Sequence, residues 1–211
     1  MSISSIRKDY QLQSLSESDV QQDPFAQFAQ WWKEAVASEI DEVNAMTLST
    51  VTAEGKPSAR IVLLKGFDEK GFVFFTNYES NKGEQLSANP FASLVFFWKE
   101  LERQVRIEGI CEKVSEQESD DYFHSRPIGS QLGACASPQS RIIESRSIIE
   151  NNLEKLQDQY KDMEIPRPAH WGGFRVVPNT LEFWQGRSSR LHDRIKYLKE
   201  DQSWKIVRLA P

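Results

Sequence analysis

Residues 45–65 read AMTLSTVTAEGKPSARIVLLK, and the fold turns on this stretch. Over 45–51 apolar and polar side chains alternate, the period of a half-buried strand rather than the 3.6-residue repeat of a helix. A turn over 53–57 contains Gly55 and Pro57, and extended character resumes over 59–65, so the segment predicts an antiparallel hairpin. Further along, a turn at 68–71 leads into FVFFT (72–76), the run FASLVFFW closes at Trp98, and residues 104–114 read as another strand. WGGFRVV (171–177) predicts a strand, a turn at 178–180 separates it from LEFWQ (181–185), and two last strands surround Tyr197 and residues 204–209. Short turns between strands, without strand–helix alternation or a GxGxxG motif, argue for an antiparallel sheet that closes on itself. The expected class is mainly β with flanking α-helices, an antiparallel barrel.

Helices surround this sheet. Asp23 can cap free backbone donors and Pro24 loses no bond at a first helical position, so a helix starts there. Phe25, Phe28, Ala29, Trp32 and Val36 follow at helical spacing and form a packing stripe. Asn81 with Glu84 three residues on predicts a short helix ending before Pro90, and Ser115 with Glu118 forms a capping box. Ser137-Pro138 marks another helix start, with Ile142, Ile149, Leu153 and Leu156 continuing to about Tyr160. Residues 1–22 are polar and predict a flexible arm ahead of one domain over 23–211.

A chain of 211 residues with six Trp and twelve Phe can fill one sizeable core. Its net charge of −5 argues against nucleic acid as main partner, because phosphate backbones select for excess Lys and Arg. Cys111 and Cys135 have neither metal-ligand spacing nor disulfide-scaffold density. No apolar stretch is long enough for a membrane span, and the start lacks a signal core. A cytoplasmic protein without a metal site is expected. His124 and His170 have no acid partner or ligand spacing nearby and read as structural or surface groups.

Charges inside the strands are the first functional signal. Arg60 and Lys65 flank four apolar residues and, by period-two geometry, face opposite sides, either as solvated strand ends or toward different ligands. Lys82 near a helix start is a natural phosphate seat, since free backbone N–H groups favour anions. Tyr122, Arg126 and Ser130, placed together across a Pro-Gly turn, offer hydroxyls and a guanidinium suited to a phosphomonoester. Residues 181–194, LEFWQGRSSRLHDR, crowd Arg190, His192 and Arg194 beside Trp184, a mixture suited to planar anionic ligands. No Ser-His-Asp arrangement, HExxH or CxxC is present, so hard chemistry must come from a cofactor.

The order E-F-W-Q, a four-residue gap, then R-L-H-D-R resembles the C-terminal signature of the pyridoxine/pyridoxamine 5′-phosphate oxidases, and the likeness runs from IRKDY to RLAP. This resemblance implies an FMN-binding split β-barrel working as a homodimer, with the site between two chains. FMN would lie along Arg60, Ile61, Val62, Leu63, Leu64 and Lys65 and meet Phe75, Thr76, Asn81, Lys82, Gln104, Gln139, Ser140, Trp184 and Arg194. Lys65, Tyr122, Arg126 and Ser130 would hold the substrate phosphate, Arg190 and His192 would cover its ring as catalytic groups, and Arg7 and Tyr10 of an R-x-x-Y motif would fold over it. The implied reaction is oxidation of pyridoxamine or pyridoxine 5′-phosphate to pyridoxal 5′-phosphate, with hydride passing to FMN and O2 giving H2O2. A phenazine-pathway type of flavin oxidase and a non-catalytic flavin or pyridoxal-phosphate carrier are the alternatives. One position departs from the family: Asn81-Lys82 stands where Arg-Lys is common, which predicts weaker FMN retention.

Overall fold

The computed structural model describes residues 2–211. Nine strands form one antiparallel sheet: β1 (Ala45–Val51), β2 (Pro57–Leu63), β3 (Gly66–Asp68), β4 (Gly71–Asn77), β5 (Phe91–Trp98), β6 (Arg103–Lys113), β7 (Trp171–Gln185), β8 (Asp193–Glu200) and β9 (Ser203–Arg208). The main path runs β2-β1-β5-β6-β7-β4-β3, and β8 with β9 branches from β7. β7 makes the split: it pairs with β6 along its length, with β4 through 171–176 and with β8 through 180–185. Lys65 N donates to Val73 O at 2.8 Å and joins the end of β2 to β4. The antiparallel split barrel expected above is therefore the fold.

The turn expected at 178–180 is instead a bulge within continuous β7. Glu108 pairs with Thr180 and Gly109 with Pro178, which leaves Asn179 as the extra residue. Pro178 can occupy such a site because it has no N–H for the ladder. A Cβ on Gly109 would lie 2.1 Å from Val177 O, so the close backbone approach requires glycine.

The helix α1 (Pro24–Ala37) closes the barrel. Asp23 caps it, accepting from Ala26 N at 3.0 Å. Its buried face is Pro24, Gln27, Phe28, Trp31 and Ala35, while Ala29 and Val36, expected inside, are exposed. The stripe is rotated because Trp31 takes the inward place, edge-on to Phe183 at 5.2 Å, and Trp32 is left at the margin. Phe28 has no exposure and meets Phe67, Phe72, Phe96 and Trp98. Burying such a side chain contributes roughly 1.5–3 kcal/mol.

A second apolar cluster, Phe123, Leu132, Ile165 and Trp171, lies under α3 (Glu116–Ser125), α4 (Ile128–Ala136) and α5 (Ser147–Gln159). Half of the expected capping box forms: Ser115 Oγ accepts from Glu118 N at 3.1 Å, while the Glu118 carboxylate turns to Arg175. Beyond Arg126 the chain enters α4 at once, where a Pro-Gly turn was expected. Ser137 ends α4 and begins nothing: its N–H closes the helix onto Gly133 O, residues 138–146 are irregular, and α5 starts only at Ser147. A proline just past a helix end gives the same local signal as one at a helix start.

The polar segment 2–22 has defined partners. Leu15 and Val20 are buried in the main core, Gln11 N and Leu12 N donate to Glu102, and Leu15 N donates to Asp193. His124 has an acid partner after all, with Nε2 3.2 Å from the Glu164 carboxylate, a contact made across 40 residues of chain. Among the described residues no helix is long and apolar enough to cross a membrane.

Candidate active site

Two clefts gather most of the residues singled out from the sequence. The first, of about 510 Å³, is lined by Ile61, Val62, Leu63 and Lys65 from the end of β2, Phe75, Thr76 and Asn77 from β4, and Lys82 from α2 (Asn81–Ala88). Tyr122, Arg126, Pro127, Ser130, Gln139 and Trp171 complete it. Three consecutive residues of β2 line it, so the strand presents an edge rather than one face, with Lys65 just beyond its end. Leu64 does not line it, because its side chain belongs to the core.

One end of this cleft is cationic. Lys82 Nζ lies 3.1 Å from Thr76 Oγ1, 3.3 Å from Ser80 Oγ and 3.5 Å from Gln139 Oε1. Arg60, next to it, donates to Leu48 O, to Thr50 Oγ1 at 2.6 Å, to Ser58 Oγ at 2.7 Å and to Gln85 Oε1 at 3.3 Å. Every one of these partners is neutral. Burial holds Lys82 below its ordinary pKa, with the Arg60 charge adding to the effect, and burial lowers Arg60 as well. Two crowded cations at a helix start, without a carboxylate, suit a bound anion. Asn81 is the first residue of α2 and exposed; the cap is Ser80, whose Oγ accepts from Gly83 N. The expected Asn81 cap is thus replaced by its neighbour.

Arg126 lines the same cleft. Its guanidinium stacks over Trp171 at 4.6 Å, and its buried Nη1 has no hydrogen-bond partner. Burial lowers its pKa. Lys65 Nζ lies 6.0 Å from the centre of the Tyr122 ring, which stacks on Phe75 at 3.9 Å. An orphaned buried donor in one cleft with a lysine and a tyrosine has the chemistry to suit a second anion.

The second cleft, about 470 Å³, is lined by Ile6, Arg7, Lys8, Asp9, Tyr10, Arg187, Ser189, Arg190 and His192. Ser189 and Arg190 are both left-handed, with φ of 56° and 62°. Arg187 N donates to His192 Nδ1 at 3.1 Å, so the neutral ring carries its proton on Nε2. Burial, reinforced by the Arg190 charge, pushes the imidazole below its ordinary range. Trp184 packs against His192 at 4.6 Å.

Gln104, Trp184 and Arg194 are cross-strand neighbours on one row of β6, β7 and β8. Glu182, nearly buried, accepts from Arg194 at 2.7 Å and so aims it, and hydrogen bonding to that carboxylate raises the Arg194 pKa. Neither cleft of the single chain is lined by both sets: Lys65, Tyr122, Arg126 and Ser130 are at the first, Arg7, Tyr10, Arg190 and His192 at the second. Ser140, at φ 68°, is exposed and lines neither. Sequence reasoning missed Asn77, Trp171, Thr50, Ser58, Gln85 and Glu182. Only Trp171, opening its strand with an aromatic, carried a local signal.

A split barrel with a cationic cleft at its side defines a class of small β-barrel proteins. A pyridoxamine 5′-phosphate oxidase-related, FMN binding protein from Nostoc punctiforme shares the fold at TM-score 0.71 and 17% identity over 91% of this chain and all of that one. PhzG from Burkholderia lata, in complex with tetrahydrophenazine-1-carboxylic acid, superposes at TM-score 0.89 and 28% identity, covering 95% of this chain and 99% of that one. Residues 32–160 match the family model described as pyridoxamine 5′-phosphate oxidase, and 171–211 match the pyridoxine 5′-phosphate oxidase C-terminal dimerisation region. Pyridoxine/pyridoxamine 5′-phosphate oxidases from Nostoc sp. and Cupriavidus pinatubonensis are each 60% identical, covering 99% of this chain and 98% and 99% of theirs. The chain belongs to the pyridoxamine 5′-phosphate oxidase family.

Proposed function

We propose that this protein, as a homodimer, oxidises pyridoxamine 5′-phosphate and pyridoxine 5′-phosphate to pyridoxal 5′-phosphate. The observation that carries this reading is one cleft lined by Lys82, which has the Arg60 charge beside it, and by Lys65, Tyr122 and Arg126 with its orphaned Nη1. Two phosphates are needed, one on the cofactor and one on the substrate, and family membership supports FMN as the cofactor. The donor set fits it: neutral partners leave the Arg60 and Lys82 charges free for a phosphate, with the β2 edge, Phe75, Thr76 and Gln139 alongside. FMN, when bound, supplies the acceptor for the hydride leaving substrate C4′, and O2 takes the electron pair as H2O2; the amine substrate also consumes water and releases ammonia.

The chain's own residues position the reactants. Lys65, Tyr122, Arg126 and Ser130 grip the substrate phosphate. Arg190 places positive charge against the substrate oxygen or ring as charge develops, and Arg7 and Tyr10 roof it. His192 orients the substrate as a donor through Nε2–H, because Nδ1 is occupied by the Arg187 amide. Since these groups line separate clefts, a second copy completes the site, with Gln104, Trp184 and Arg194 reaching the cofactor from the partner; the match to a dimerisation region supports this. Residues 23–211 act as one unit in this scheme, in the cytoplasm. The test is to incubate FMN-loaded protein with pyridoxamine 5′-phosphate under air and follow aldehyde and peroxide. Equal amounts of both support the reading; binding without turnover would leave a carrier, and a phenazine-type oxidase would leave the B6 substrate untouched.

A further inference from the structure

Glu102 has a conformation and a set of partners that the β5–β6 connection does not require. It follows a single 3₁₀ turn (Lys99–Leu101), its backbone is left-handed at φ 53° and ψ 39°, and its side chain is only 4% exposed. A glycine or asparagine would make that turn with less strain. All the side-chain partners come from the N-terminal arm: Oε2 accepts from Gln11 N at 2.9 Å and Leu12 N at 3.1 Å, and Oε1 lies 3.4 Å from Lys8 Nζ. The Glu102 carbonyl meanwhile accepts from Gly186 N at 2.8 Å and from Gln185 Nε2 at 3.2 Å. One residue therefore ties the arm to the start of the loop that carries Arg190 and His192.

Tyr10 sits between those two attachments. A Cβ at Gly186 would lie 2.7 Å from Tyr10 Cγ, so the bare glycine makes room for the ring. The ring meets Trp184 edge-on at 5.7 Å and His192 at 6.0 Å, and Asp9 Oδ1 accepts from Ser189 N at 3.2 Å. We propose that Glu102 is a positioning residue: its carboxylate latches the arm so that Arg7 and Tyr10 stand over the second cleft in register with Arg190 and His192. This rests on the reading of that cleft as the substrate's roof.

The latch is tested in the FMN-loaded protein with Glu102→Asn, which suits a left-handed backbone but is too short to reach the arm, and with Glu102→Gln, which keeps one acceptor oxygen. In Glu102→Asn, hydrogen exchange at Gln11 and Leu12 should quicken at least about tenfold with the barrel amides unchanged. KM for pyridoxamine 5′-phosphate should rise about tenfold while kcat stays within about twofold, with Glu102→Gln between. In a chain lacking residues 2–12, Glu102→Asn should leave KM where truncation alone puts it, because coupled sites are not additive. Unchanged exchange at Gln11 and Leu12, or an equal KM effect in the truncated chain, overturns the proposal. If exchange responds but the unmodified chain does not turn over the substrate, the assigned reaction falls while the latch between arm and loop stands.

Discussion

The cleft around Lys82 and Arg126 is walled by β2, β4, α3 and α4, and none of its lining cations has a carboxylate partner among the described residues. The cleft around Arg190 is built from an arm and a loop, and two of its cations are neutralised, Lys8 by Glu102 and Arg187 by Asp193. Its loop also stores strain in two consecutive left-handed residues, on the order of 1–3 kcal/mol each. The difference is physical. Standing positive charge fixed by a rigid sheet suits a preformed anion, whereas guanidinium groups unpaired among the described residues, here Arg7 and Arg190, with paired neighbours suit charge that develops during a reaction.

The largest expected effect probes whether the clefts act together. Arg190→Ala should cost about 2–4 kcal/mol of transition-state stabilisation and leave FMN binding intact. Turnover near the native rate would remove Arg190 from the mechanism. Co-expressing that chain with Arg126→Ala should restore roughly a quarter of the native activity, through the one intact site in each mixed dimer. No recovery would mean that each chain works alone.

Next in size is a separation within the first cleft. Arg126→Ala should weaken pyridoxal 5′-phosphate binding by about 1.5–3 kcal/mol and spare FMN, with Lys82→Ala doing the reverse. Titrations showing that both variants lose both ligands equally would merge the two seats into one. Asn81→Arg should tighten FMN by about 0.5–1 kcal/mol, a modest gain because residue 81 is exposed. An unchanged or raised dissociation constant would sink the idea that this position limits retention.

The smallest effect is electrostatic. Burial and Arg190 together depress the His192 pKa, so its neutral ring persists to lower pH than an ordinary imidazole. Arg190→Gln removes the second cause, and the His192 ring protons, followed by NMR, should titrate at a higher pH than in the native chain. A titration that does not move would show that burial alone sets the value.

Much of this arrangement was readable from residue types and spacing. The 45–65 hairpin, the FVFFT and FASLVFFW strands, the Asp23-Pro24 cap and the Ser115 cap all rest on contacts within a few residues, and all formed. Lys65, Tyr122, Arg126 and Ser130, remote from one another in part of the sequence, line a common cleft. The failures have two causes. The bulge at Asn179, the rotated face of α1, the late start of α5 and the Glu164 partner of His124 depend on neighbours remote in sequence or on signals that two local structures share.

Periodicity, capping chemistry and the RLHDR signature determined from sequence alone that this chain would form an antiparallel barrel of this family, because those signals act over short range. Tertiary structure alone decided that the Arg60 charge stands beside Lys82 with neutral hydrogen-bond partners, that Arg126 keeps an unpartnered donor, and that Glu102 reaches across about 90 residues to the arm. Those facts depend on burial and on which charges meet across the sheet, and neither is a property of any short segment.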